Sequence, residues 1–360
     1  LSDRYARHQL IDGWRQEDLT RACVAIAGVG AIGNAVALAL ALSGVGRLIL
    51  CDPDTVQPSN LSRTPLFQGD DVGRLKADAA AARLRALAPD LAVEARAGRF
   101  EACVGLGELQ GGVDLVMGCL DSRAARLKMA GRCALAKTPY IDAATQPWGG
   151  EVRPHVDLDG PCFACGLSDV ERGVLDTPWS CLDLSSPETA GAAAPSSGLI
   201  GNWAALMAVR TLCGMSPANE TLVVDGAGGE IRRLVQARDP TCWFHRPIED
   251  TLDLQATVDA TLEALRVELP AGVQPLLWRP IEREAQCRQC GWTERVCRVA
   301  IPRPCPNCDS ALDLETSLET EAAPGHLTLR EIGVAPREIL AARAPEGRIW
   351  LRLSAESSAG

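Results

Sequence analysis

Residues 22–33 read Ala22-Cys23-Val24-Ala25-Ile26-Ala27-Gly28-Val29-Gly30-Ala31-Ile32-Gly33, and residues 47–52 read Arg47-Leu48-Ile49-Leu50-Cys51-Asp52. The first stretch is a short apolar run, Ala22–Ala27, that breaks into GxGxxG. A small-residue helix is predicted over Asn34–Ser43, and Arg47–Cys51 follows as a second strand ending at Asp52. Glycines at 28, 30 and 33 allow a tight turn, close backbone approach to a phosphate, and close helix–strand packing. Asp52, 19 positions after Gly33, is placed to accept hydrogen bonds from ribose hydroxyls. GxGxxG by itself is also compatible with a βα turn that holds no ligand. Its place between a strand and a helix, with an acid ending the next strand, favours a nucleotide.

Further units repeat the alternation. Arg74–Leu87 reads as a helix, Leu91–Arg96 as a strand, and Val113–Cys119 as a buried strand followed by Asp121. Ser122–Ala136 reads as a helix capped by Ser122 or Asp121. This order predicts a Rossmann-like, doubly wound, mostly parallel α/β sheet, with ligands beyond the carboxyl ends of its strands. Asp52, Asp54 and Asp121 all fall at that edge.

Composition narrows the classes. The chain has 360 residues, 47% of them apolar, which suggests about two domains and too much hydrophobicity for a disordered chain. Its 36 basic residues against 46 acidic ones give a net charge of −10, which argues against nucleic acid as a partner. No run of about 18 apolar residues predicts a membrane span, and Leu1 opens no secretory leader, so the expected compartment is the cytoplasm.

The segments between the α/β elements carry more charge than a dinucleotide requires. Arg4-Tyr5-Ala6-Arg7 lies upstream. Asp52-Pro53-Asp54-Thr55-Val56, Ser59-Asn60-Leu61-Ser62-Arg63 and Val72-Gly73-Arg74-Leu75-Lys76 follow the second strand. A dehydrogenase has little use for three cations and an Asn at the phosphate end. An enzyme attacking the α-phosphate of ATP does, because negative charge grows on the phosphate oxygens and on departing pyrophosphate. In that reading Arg63 and Lys76 hold the triphosphate, Arg7 reaches its far end and Asp121 holds Mg²⁺. A Rossmann oxidoreductase, or a nucleotide-binding scaffold without catalysis, is the alternative.

These motifs, with the later Cys181-Leu182-Asp183 and Pro161-Cys162-Phe163-Ala164-Cys165 segments, resemble the ThiF/MoeB/HesA-type activating enzymes, relatives of eukaryotic ubiquitin-activating enzymes. The resemblance covers roughly residues 1–250. It implies adenylation, with Mg·ATP, of the C-terminal glycine carboxylate of a ubiquitin-like protein. Carried across by motif, Asp52 binds ribose; Asn60, Arg63 and Lys76 contact phosphates; Asp121 serves Mg²⁺ and the α-phosphate. Arg7 completes the site, in this family commonly from the second protomer of a homodimer. Thr64 and His8 stand where the family usually has Gln.

Of the fifteen cysteines, six stand in CxxC pairs: Cys162/Cys165, Cys287/Cys290 and Cys305/Cys308. The resemblance implies one tetrahedral zinc held by Cys162, Cys165 and a second pair, here Cys242 and His245; Cys₃His is an accepted structural set. Cys287-x-x-Cys290 and Cys305-x-x-Cys308 match a zinc ribbon over 287–308, a second structural zinc, with a redox pair as the rival reading. Cys23, Cys51, Cys103, Cys119, Cys133 and Cys213 read as small core residues, as does Cys297 less clearly.

Residues 166–198, before a helix starting near Gly198, read as a mobile loop carrying the acyl acceptor. Cys181 is the first candidate nucleophile. Ser185 or Ser186, or no covalent step, remain open. Residues 251–360 extend past the resemblance. Thr251–Leu269 and Pro336–Ala342 are predicted as helices, His326–Glu331 and Arg348–Leu353 as strands. Docking of a conjugating enzyme or of the ubiquitin-like protein is the expected role. Protein conjugation, with a thioester on Cys181, is the leading expectation; adenylation of a sulfur carrier for thiamine or molybdopterin synthesis is the alternative.

Overall fold

A computed structural model describes residues 3–167 and 193–355. Its contacts divide the chain into two units. The first comprises residues up to Cys103, Leu109 onward, and the chain to Pro247; the second comprises Val104–Glu108 and the chain from Ile248.

The first unit is built on an eight-stranded sheet. Its strands are β1 (Cys23–Ala27), β2 (Arg47–Asp52), β3 (Ala92–Ala97), β4 (Leu115–Gly118), β5 (Tyr140–Gln146), β6 (Gly149–His155), β7 (Glu220–Asp225) and β8 (Glu230–Val235), in the order β3-β2-β1-β4-β5-β6-β7-β8. The first five are parallel and the last three antiparallel. β1 is buried along its whole length, as its unbroken apolar run requires for a strand covered on both faces. Val24, Ile26, Leu48, Leu50, Leu115, Met117 and Ile141 point into one core with helices Ala31–Ser43, Lys76–Leu87 and Ala194–Leu212. Helix Arg123–Ala136 buries Leu127, Ala130 and Cys133, and Ser122 caps it by accepting a hydrogen bond from the Ala125 N–H. The doubly wound α/β expectation is met. The strand order reverses between β1 and β4, where such sheets bind ligands.

The second unit holds a six-stranded sheet of β9 (Leu252–Asp253), β10 (Gln274–Gln286), β11 (Thr293–Val299), β12 (Asp313–Glu319), β13 (Ile339–Ala344) and β14 (Gly347–Arg352). Here three expectations fail. Only Leu262–Glu268 of the predicted 251–269 helix is helical, because Leu252–Asp253 pairs with β14 instead. The predicted helix 336–342 gives way to β13, which has β10 on one side and β14 on the other. Residues 326–331 form turns, not a strand. Cys23, Cys51, Cys103, Cys119, Cys133 and Cys213 are buried, as small core residues should be, while Cys297 is half-buried.

Candidate functional site

The three glycines of the β1 turn do different work. Gly28 sits at φ +89°, and a Cβ there would lie 2.5 Å from the Cys119 carbonyl oxygen. A Cβ on Gly33 would lie 2.0 Å from the Gly28 carbonyl oxygen, so the helix can approach only without a side chain. Gly30, the N-cap of helix Ala31–Ser43, faces open space, leaving backbone N–H groups accessible to an anion.

Asp52 fixes this loop. Its carboxylate is buried and accepts hydrogen bonds from Val29 N–H (2.7 Å) and Asp54 N–H (2.9 Å). Burial pushes the carboxyl above its ordinary range, against those hydrogen bonds and the charge of Lys76. Lys76, at the start of its helix, pairs with the Asp54 carboxylate at 2.8 Å; Lys76 is largely covered and Asp54 open. Asn60 accepts from Gln57 N–H and so closes the short turn Pro58–Asn60. Arg63 donates to the Ser59 carbonyl at 2.6 Å. Arg63 also lines a cleft of about 390 Å³ with Ala31 and Ala35 of the glycine-loop helix and Ala194, Gly198 and Asn202 of the long helix. Asp121 lies exposed just past β4, one residue before the Ser122 cap.

The fold thus brings the glycines, Asp52, Asp54, Lys76 and Asp121 to one edge, with Arg63 beside the glycine-loop helix. Arg7 is not among them. Tyr5 packs at the opposite end of helix Ala31–Ser43, where a Cβ on Gly44 would lie 2.8 Å from its ring. Arg7, two residues on, is exposed at that end, a helix length of about 20 Å from the loop. Cys181, Ser185 and Ser186 lie outside the described residues.

Sequence reasoning missed two sets of residues. Asn34 is fully buried, donates to the Val29 carbonyl at 2.8 Å and accepts from Leu66 N–H at 2.9 Å, tying the glycine loop to the segment that follows Arg63. A lone amide in an otherwise apolar helix was its signal. The second is an ionic cluster around Asp142, which is fully buried in β5 and accepts from Arg126. Arg126 also meets Glu151 at 2.9 Å, and Glu151 meets Arg153 at 2.8 Å. Burial works against the Arg126 charge, and Asp142 and Glu151 more than restore it. An acid inside the apolar run of β5 was the trace of this cluster.

Both cysteine sets converge. Cys162 Sγ stands 3.7 Å from both Cys165 Sγ and Cys242 Sγ, and Cys165 Sγ is 3.1 Å from His245 Nε2. In the second set, Cys287–Cys308 and Cys290–Cys305 are each 3.5 Å apart. All four ligand atoms of each set lie within 4.8 Å of one another. Tetrahedral zinc with Zn–S near 2.3 Å separates its sulfurs by about 3.8 Å, while a disulfide needs about 2.05 Å. The spacing therefore fits a metal and not a redox bond.

Residues 2–244 match the family model described as the ThiF family. The chain belongs to the ThiF family. Among its relatives, the sulfur carrier protein ThiS adenylyltransferase of Escherichia coli (strain K12) is 33% identical over 254 residues, spanning 66% of this chain and 93% of the relative. The molybdopterin-synthase adenylyltransferase of the same organism is 31% identical over 245 residues, with 66% and 94% covered. The crystal structure of E. coli MccB with MccA-N7isoASN shares the fold at TM-score 0.57 and 22% identity, covering 68% of this chain and 75% of that one. The ThiF match ends at residue 244, just before Ile248, where the long C-terminal stretch of the second unit starts.

Proposed function

We propose that this chain is an adenylyltransferase that activates the C-terminal carboxylate of a small sulfur-carrier or ubiquitin-like protein with Mg·ATP. The observation that carries the reading is the joint placement of an open glycine turn, its Asp52 brace and Lys76 at the β1/β4 switch point, in a chain of the ThiF family. The ThiS and molybdopterin-synthase relatives favour a sulfur carrier as the acyl substrate.

In the reaction, a carboxylate oxygen of the carrier attacks the α-phosphorus. The bond to the bridging oxygen breaks, pyrophosphate leaves with the electron pair, and an acyl-adenylate forms. The Gly30 turn offers backbone donors, and Asp52 has lone pairs left for the ribose. Arg63 and Lys76 neutralise charge developing on phosphate, with Asn60 alongside; such preorganised donors are worth about a hundred- to a thousandfold each. The exposed Asp121 carboxylate suits Mg²⁺, which binds through one or two carboxylates plus phosphates and neutralises the triphosphate. Arg7 reaches a phosphate only from another copy of the chain, given its place at the far end of the helix, which supports a homodimer. The two cysteine sets hold structural zinc, and their thiolates require a reducing compartment such as the cytoplasm.

A second reading is favoured by the unit from Ile248 onward. The match to the ThiS enzyme takes up 93% of that relative, leaving no room in it for such a unit. In this reading the extra unit docks a conjugating enzyme, and Cys181 accepts the activated carboxyl as a thioester.

Pyrophosphate exchange into ATP, dependent on a glycine-ended carrier, tests the adenylation. Absence of exchange with every such carrier tried, in protein that binds Mg·ATP, would sink it. A thiol-sensitive adduct that disappears in Cys181→Ala selects the conjugation reading. An adduct that persists in that variant excludes Cys181.

A further inference from the structure

We infer that Phe163, the aromatic residue inside the first metal clamp, is a positioning residue for the nucleotide site, acting through Arg126 and Asp142. The inference rests on the adenylation reading and adds a role for the clamp.

Phe163 is buried between the ligands Cys162 and Cys165. Its backbone N–H donates to the buried Tyr140 hydroxyl at 3.2 Å. Two guanidinium groups lie against its ring: the Arg126 and Arg153 carbons are each 5.2 Å from the ring centroid. Within about 6 Å of a ring centroid, a cation is attracted by the negative ring face, more strongly when desolvated. Arg126 is only 13% exposed, so little water screens this contact.

From Arg126 the contacts run to the nucleotide edge along two branches. One follows its own helix: Arg126 N–H donates to the Ser122 carbonyl, and Asp121 immediately precedes that cap. Fixing the guanidinium fixes the first turn and hence the origin of Asp121. The other passes through Asp142. Asp142 is the register partner of Gly118, the last residue of β4, and its Oδ1 would lie 3.1 Å from a Cβ placed there, so the carboxylate stands close beside the end of that strand. The next residue, Cys119, donates to the Ala27 carbonyl at 2.8 Å, and its own carbonyl is the atom against which Gly28 packs. The sequence of neighbouring residues therefore runs from the Cys162/Cys165 pair to both Asp121 and the glycine turn. A leucine in place of Phe163 would fill much of the space but offer the two cations no ring face.

The test compares Phe163→Leu with Phe163→Tyr in the full-length, metal-loaded protein, reading Mg·ATP affinity by calorimetry and zinc content per chain. The expected result is wild-type zinc content in both variants, about five- to tenfold weaker Mg·ATP binding in Phe163→Leu, and affinity within about twofold of wild type in Phe163→Tyr. Wild-type affinity in Phe163→Leu overturns the inference. So does an equal loss in both variants, or a loss that tracks missing zinc, since each makes Phe163 a packing residue only. If Phe163→Leu does not fold, Phe163→Met, which also fills the space without a ring face, takes its place; the same weakening of about five- to tenfold is expected, and unchanged affinity overturns the proposal. Wild-type protein that binds no Mg·ATP overturns the adenylation reading, and this inference with it.

Discussion

The first cysteine–histidine set joins Cys162 to Cys242 across a separation of 80 residues, whereas the second set, of four cysteines, closes over a separation of 21, from Cys287 to Cys308. The first lies in a unit whose sheet and helices share a large apolar core, and its three cysteines are all buried. Strands β11 and β12 around the second are half-exposed or exposed along their length, and Cys290 is exposed. Nearly the same ligand chemistry thus meets two structural needs. In the α/β unit a bound metal would fasten the end of a body that already has a core. In the ribbon a bound metal would take the place of the apolar core that β11 and β12, half-exposed or exposed along their length, do not build around the four cysteines.

The sharpest way to break this comparison is Cys305→Ser. Metal content should fall from two to one per chain, and β11 and β12 should lose hydrogen-exchange protection, a loss of several kcal/mol of local stability. Mg·ATP binding should stay as in wild type. The matching Cys242→Ser should also release one metal yet leave β1–β5 protected. Unfolding of the α/β unit in Cys242→Ser would put both clamps in one class.

Next in size is Asp142→Asn, which strips a fully buried carboxylate from Arg126. Removing one partner of a buried pair costs about 3–5 kcal/mol, here in the first unit, and denaturant unfolding measures it. A loss under about 1 kcal/mol would mean that the buried Asp142–Arg126 pair contributes little to the stability of this unit.

Lys76→Ala should reduce pyrophosphate exchange about a hundredfold, with thermal stability within about 1 kcal/mol of wild type and both metals retained. That outcome separates the nucleotide edge from both clamps; an equally active variant would remove Lys76 from the site.

The smallest effect concerns Glu94, paired with Arg47 and Arg96 on β2 and β3. Burial raises its carboxyl, and hydrogen bonds from Arg96 and Arg47 outweigh this, so the folded value lies below the ordinary 4.5. A lowered acid contributes stability above its unfolded value and loses it as pH falls through the folded value. Glu94→Gln should therefore be less stable than wild type at neutral pH, by under about 1 kcal/mol because the group is partly exposed. The gap should close below about pH 4.5. A constant gap would place its origin elsewhere than in charge.

Much of the α/β unit was legible in the sequence because its signals are local. A fully buried parallel strand reads as an unbroken apolar run, and a βα turn that packs tightly needs glycine, so residues 22–52 declare themselves. The second cysteine set was legible through its knuckle spacing, and the first through the family resemblance. The second unit was less so. Ile339–Ala344 fits a helix or a strand equally well, and only partners on both sides make it β13. Leu252–Asp253 became a strand by pairing with residues about a hundred positions away, which no local pattern encodes.

By itself, the sequence determined the dinucleotide-type turn, the charged set that follows β2 and the short cysteine knuckles, since each depends on residue type at fixed short spacing. The joining of Cys162 and Cys165 with Cys242 and His245 across 80 residues came from the family resemblance. The tertiary structure decided which of these meet. It brought Asp52, Lys76 and Asp121 to one edge with Arg63 beside the turn, and it left Arg7 at the far end of a helix. It also stacked two arginines on Phe163. Those outcomes depend on strand order and helix packing across long separations, where burial of apolar faces and pairing of buried charge select one arrangement.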